Sequence, residues 1–338
     1  MTPRRTPATA RSTGQIRLST PFRITVLLDE ILQFDAGDIL TAVAEDFPDL
    51  AWGRADATPD PAPGDASDAV ATVPCGGGIG PGVITAGEAI SMDWHPLFHR
   101  NRIDPTGPDA IRMTQNRAHL EIAVNHGGTD LARRLDAARY ATAIAAVFAD
   151  LPITAGIAIG WCDRLMPGDD FLRAADAVRA GRIPLLHWLH LVPFRDPAAP
   201  KLRSGVSVGL ASFVGVEVEI RQSPQPQAEV LRAIYAAAAQ LLDGNDMFAD
   251  GAEMTGPASH GAAPVTYRLR HLPEGRLGND TDRWLLIHPE SPFPDRKLLG
   301  RAKAGRPRPK DGAGSDGRNG GWLASRVARM RRGPTDGA

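Results

Sequence analysis

Two carboxylates are the residues best placed by their spacing to do chemistry. Residues Gly205–Ile220 read GVSVGLASFVGVEVEI. The end of this run alternates strictly, so Val216, Val218 and Ile220 point one way and Glu217 and Glu219 the other. Carboxylates at i and i+2 share one face of a strand. Like charges at that range raise one pKa, an arrangement suited to proton transfer or to holding a metal ion. The plainer reading is the solvated face of a half-buried strand, or an edge strand blunted by charge. His119 and Glu121 share a strand face in the same way, within HLEIAV. They are the two residues that folding could bring to the glutamates.

Other motifs carry less. Cys75–Gly82, CGGGIGPG, lacks the Gly-Lys-Ser/Thr ending of a phosphate loop and the spacing of a dinucleotide turn. Pro81 also removes a backbone donor, so the segment reads as a turn between strands. Cys75 beside it has no assigned base, which leaves it short of a nucleophile. His95 and His99 stand i, i+4, on one face of a helix if the helix starts at Pro96. His187 and His190 stand three apart, on opposite faces if that segment is a strand. No set of ligands is complete, so neither a metal nor a cofactor is expected.

The elements that must position these residues follow from periodicity. Phe22–Leu28, His119–Val124, Ile153–Trp161, Leu185–Val192, Val265–Leu272 and Arg283–His288 read as strands, with Leu50–Ala55 and Val83–Trp94 as further candidates. Asp35 caps a helix with Ile39, Leu40, Val43 and Phe47 on one face. Asp130–Leu151 is the strongest helix, with Leu131, Leu135, Ala138, Ala141, Ile144, Phe148 and Leu151 at three- and four-residue steps. Gly168–Ala180 and the stretch after Ser223-Pro224 are helices as well. Gly205–Ile220 reads as a long bent strand or a hairpin. The pattern predicts an α+β fold of mixed sheets with helices packed on one face, divisible into βαβ-type halves at 21–115 and 116–292.

Charge separates the ends from the body. Twelve Lys or Arg against three Asp give Arg296–Ala338 a charge of +9; with −1 overall, the rest of the chain carries −10. An acidic body argues against a general nucleic-acid binder. Residues 1–20 read as a disordered leader, 57–73 as an exposed loop and 293–338 as a disordered basic tail. Within the tail, Gly321–Arg332 could form a short basic helix and touch an anionic surface. The leader has no apolar h-region and the longest apolar run, Ile183–Phe194, is too short to span a membrane. Two cysteines far apart imply no disulfide framework. A cytoplasmic protein is the expectation.

Within Thr154–Arg221, the sequence resembles the bacterial family catalogued as domain of unknown function 4261. The matching residues are Gly209-Leu210, Phe213, Gly215, Glu217 and Glu219, with a helix before and after. The resemblance implies no activity, cofactor or site residue. The expectation is a non-catalytic protein that binds a macromolecule, a protein partner first, through its sheet surface. The alternative is a hydrolase or metal-dependent enzyme using Glu217 and Glu219 with His119 or Glu121.

Overall fold

The described strands form two six-stranded sheets. The computed structural model describes residues 20–53, 69–128, 130–197, 199–244, 248–257, 264–274 and 281–292. The leader, most of the 57–73 loop and the basic tail, with its Gly321–Arg332 stretch, lie outside these residues. The expected α+β architecture with helices packed on sheets is what the chain forms.

The first sheet is built from β1 (Phe22–Leu28), β2 (Ala69–Val73), β3 (Gly82–Glu88), β4 (Ala118–Val124), β5 (Thr154–Ile159) and β6 (Arg164–Met166). Their order is β2-β3-β4-β1-β5-β6, antiparallel throughout. Helix α1 (Ala36–Asp46) follows β1, started by Asp35, whose side chain accepts from Gly37 N at 2.7 Å. Helices α2 (His95–Asn101) and α3 (Pro108–Thr114) lie between β3 and β4. Their Leu97, Phe98, Ala110 and Met113 form a small core with Leu27, Ala155, Ala158 and Leu165.

The long helix α4 (Leu131–Ala149) starts at Asp130, which accepts from Arg133 N at 2.8 Å. It packs on β1, β4 and β5 and also against α5 (Gly168–Arg179). Its periodicity predicts one inner stripe, but Ala137, Tyr140, Ala143 and Ala145 are buried too. Neighbours on several sides explain the alanines, because small side chains let each neighbour approach closely.

The second sheet uses β7 (His190–Phe194), β8 (Arg203–Val208), β9 (Glu217–Ser223), β10 (Glu253–Thr255), β11 (Thr266–Leu272) and β12 (Arg283–Ile287). The order is β10-β11-β12-β9-β8-β7, and the β12–β9 pair alone is parallel among the described ladders. Helix α8 (Gln227–Leu242) covers β7, β8 and β9. The sheets change over between Met166 and His190, whereas the halves read from sequence meet at 115/116, inside the first sheet. An aromatic cluster binds the two at this changeover. Trp188 stacks on Phe213 at 5.6 Å, and Phe22 meets Trp161 edge-on at 5.0 Å.

Local readings shift in four places. Of the stretch Leu50–Ala55, the described residues 50–53 contribute a single bridge, Trp52 to Cys75, and the Trp52 indole N–H donates to Phe47 O at 3.0 Å. Ala69–Val73, at the end of the stretch read as a loop, is edge strand β2. Leu185–Val192 opens as the single turn α6 (Leu185–Trp188) before β7 begins. Gly205–Ile220 is a hairpin in plan, with the one-turn helix α7 (Ala211–Val214) between β8 and β9.

Gly209 makes that connection fit. Its φ is +105°, and a Cβ there would stand 2.5 Å from Cys162 Cβ and 3.0 Å from Trp188 O. Gly209→Ala combines a left-handed strain with a backbone clash. We expect a loss of about 2–5 kcal/mol in urea unfolding; a loss below about 1 kcal/mol would mean that the connection relaxes freely.

Candidate functional site

Glu217 opens β9, with its own N–H donating to Asp282 O at 3.0 Å. Its side chain turns back on the segment before it. Oε1 accepts from Gly209 N at 2.8 Å and Ala211 N at 3.1 Å. Oε2 accepts from Ser207 Oγ at 2.5 Å and Leu210 N at 3.2 Å. Ser207 Oγ in turn accepts from Val218 N at 2.8 Å. The carboxylate therefore satisfies backbone donors at the start of α7, which a one-turn helix leaves without partners. Burial pushes the Glu217 carboxyl up to about 7, against the pull of its four hydrogen bonds.

Glu219 is fully buried, at 0 % exposure. Its Oε1 takes the Arg221 Nε–H, and its Oε2 takes Arg283 Nη1–H at 2.6 Å. Arg221 comes from the same strand and Arg283 from β12, the parallel neighbour. One carboxylate thus holds two guanidiniums. Such charge-assisted bonds are strong when water is excluded.

These contacts correct the plainer expectation from sequence. Strand β9 is not a charged edge or a solvated face: it lies between β12 and β8, and both glutamates are buried. The other two candidates stand elsewhere. His119 lies on β4 of the first sheet, where its Nδ1 meets Glu88 O at 2.7 Å. Glu121, on the same strand, is ion-paired with Arg23 of β1. The four residues are split between two sheets, each with its own partners. Among the described residues, no group of three or more His, Cys, Asp or Glu is placed to hold a metal ion.

The remaining motifs resolve as structure. His95 and His99 fall on α2 as the spacing required, but both are exposed while Leu97 and Phe98 point inward. Gly76 in CGGGIGPG lies so close to Ala51 that a Cβ would stand 1.9 Å from its carbonyl oxygen. Tyr140 ties this turn down, accepting from Gly76 N at 3.2 Å and donating to Ala51 O at 2.7 Å. Burial raises the Cys75 thiol to about 12 and holds the buried Cys162 thiol higher still. Both are thiols rather than thiolates at neutral pH. A disulfide reagent at pH 7.5 should modify neither in the folded chain within minutes and both in urea. Rapid labelling without denaturant would contradict that protection.

Sequence reasoning missed the partners rather than the glutamates. Ser207 is an isolated hydroxyl among valines, and Arg283 lies 64 residues beyond Glu219. No periodicity links them. Comparison of the chain with protein-family models, curated proteins and solved structures gave no match.

Proposed function

We propose that this chain is a non-catalytic protein that binds a protein partner through the face of its second sheet turned away from α8. The observation that carries the reading is the engagement of Glu217 and Glu219. All four of their oxygens accept from fixed donors of the chain itself. A general base needs a lone pair directed at substrate, whereas these oxygens are engaged by the β8–β9 connection and by Arg221 and Arg283. The resemblance to domain of unknown function 4261 belongs to this proposal and brings no activity with it.

The register identifies the binding face. A Cβ on Gly205 would stand 3.0 Å from both Leu231 and Ile234 of α8, so Gly205, with its partners Ile220 and Pro193, faces the helix. Val206, Glu219 and Val192 are in register on the opposite face. There Val192, Phe194, Val206 and Val208 remain half-buried. A row of apolar side chains rimmed by Arg221 suits a protein surface better than a small substrate.

The test is affinity isolation from the native host with the full chain and with a Val192→Lys/Val206→Lys variant. A stoichiometric partner retained by the parent and lost by a variant of equal unfolding midpoint supports the reading. No stoichiometric partner, or equal capture by both, overturns it. A bound metal that assays at one equivalent on the purified chain would instead favour the enzyme reading.

A further inference from the structure

The face of the second sheet turned away from α8 is half-buried at Val192 and Val206 but sealed over β9, β12 and β11. Register carries that face from Glu219 on β9 to Leu285 on β12 and Arg270 on β11, and from Glu217 to Arg283 and Leu272. Leu285 is 1 % exposed and Leu272 3 %, yet neither belongs to the core cluster that holds Val218, Ile220, Leu269 and Leu286. The side chains of Arg221, Arg270 and Arg283 are at most 24 % exposed. Among the described helices, α8 is the one that packs along this sheet, and it lies on the opposite face.

Two leucines on a solvent-facing sheet would keep their tips wet, because neighbours on one face stand side by side rather than over one another. The arginines border the leucines but are largely covered themselves, so they are not the outer layer. Their charges are also taken. Arg221 and Arg283 hold Glu219, Arg270 reaches Asp250 at 3.2 Å, and each has a further interaction besides these. An external anion is therefore not what closes the face. The burial exists within one chain, so the cover belongs to that chain.

The chain leaves β12 at the rim of this face. Ser291 N donates to His288 O at 2.9 Å, and Ser291 Oγ donates to Arg221 O at 3.2 Å. The last described residues, Ser291 and Pro292, therefore stand beside β9. Residues 293–299, which lie outside the described residues, read FPDRKLL. Phe293, Leu298 and Leu299 are the large apolar side chains of the sequence between Pro292 and Trp322, and Asp295 is the one acid between Glu290 and Asp311. Seven extended residues reach about 23 Å, against about 10 Å from β9 across β12 to β11. Neither β9 nor β12 is an edge, and Pro292 and Pro294 lack the N–H that a ladder needs. From this exit the segment can cross the face but cannot extend the sheet.

We propose that residues 293–299 form a strap across β9, β12 and β11, in which Phe293, Leu298 and Leu299 cover Leu285 and Leu272 and Asp295 faces the arginines. The strap leaves Val192 and Val206 uncovered, so it stands whether or not a partner binds there. It confines any partner on this face to the β7–β8 side. It also brings the start of the basic tail, at Arg296, onto this face.

Thiol labelling of the full chain tests this with Leu285→Cys as the probe and the parent chain as background. A disulfide reagent at pH 7.5 should label the probe slowly, and at least about tenfold faster once Leu298→Asp and Leu299→Asp are added. Leu277→Asp, in the β11–β12 turn, and Leu323→Asp, farther along the tail, should leave the rate unchanged. The slow rate should hold over about a tenfold range of protein concentration, as a cover from the same chain requires. With Leu285 intact, Leu298→Asp/Leu299→Asp should lower the urea midpoint by on the order of 0.5–1 M and Leu323→Asp should not. That comparison decides alone if Leu285→Cys does not fold. Rapid labelling of the probe in the otherwise unchanged chain, no acceleration by the two aspartates, acceleration by Leu277→Asp, protection that weakens on dilution, or an unmoved urea midpoint would each overturn the strap.

Discussion

Glu219→Ala should lower the stability of the chain by about 3–5 kcal/mol, the range for removing one member of a buried ion pair. The cost arises less from the lost carboxylate than from what remains. Arg221 and Arg283 would lie close together, with side chains 16 % and 17 % exposed, and without the anion between them. Glu219→Gln should fall between parent and Ala, because the amide oxygen can still accept one guanidinium bond while the charge is gone. Replacing the three residues together, as Glu219→Leu with Arg221→Met and Arg283→Met, should recover most of the loss, since an apolar set of similar volume removes the buried carboxylate and both guanidiniums at once. Urea unfolding of the series gives the comparison. A Glu219→Ala loss under about 1 kcal/mol would mean that water screens this triad as it does a surface pair.

That triad also shows where sequence reading stops. Strand β1, strand β4 and helices α4 and α8 were legible, because each is long enough for its apolar period to declare itself. Strands β6 and β10 have three residues each and α7 has four, too few to establish any period. The alternation in VEVEI gave the strand but misled about its surroundings. Period two reports which residues share a face; it does not report what lies opposite that face. Solvent was the cheapest neighbour to assume for two glutamates. The fold supplies instead a hydroxyl and three backbone N–H groups for one and two arginines for the other, and the decisive arginine arrives on a parallel strand from far along the chain. His190 was misplaced for a related reason. Read as part of a strand from Leu185, it faces away from His187; in the structure a helical turn precedes it, it opens β7, and its Nε2 lies against the Arg100 carbonyl of α2.

Stability against pH gives the second large effect, because two buried groups near the changeover pull in opposite directions. Glu217 has its ordinary carboxyl value of 4.5 raised to about 7, chiefly by burial. The folded chain therefore binds this proton more tightly than the unfolded chain. Its contribution is greatest below pH 4.5 and is lost as pH rises through about 7. His190 has its imidazole lowered from 6.5 to about 4, again chiefly by burial and then by Arg164. Here the unfolded chain takes up the proton first. Its contribution is present above pH 6.5 and is lost as pH falls towards 4. Each displacement corresponds to about 3 kcal/mol at its limit. Between pH 4.5 and 6.5 the two slopes oppose one another, so the parent should change less with pH than either single variant. Glu217→Gln removes the falling component, and its unfolding free energy should drop on acidification from pH 6.5 by up to about 3 kcal/mol relative to the parent. His190→Gln removes the rising one, and its free energy should drop by a similar amount as pH climbs from 4.5 to 7. Urea unfolding at half-unit intervals across this range separates the two. Curves for both variants that run parallel to the parent would show that neither group changes its proton affinity on folding, and that Glu217 is held as a carboxylate by its four donors throughout.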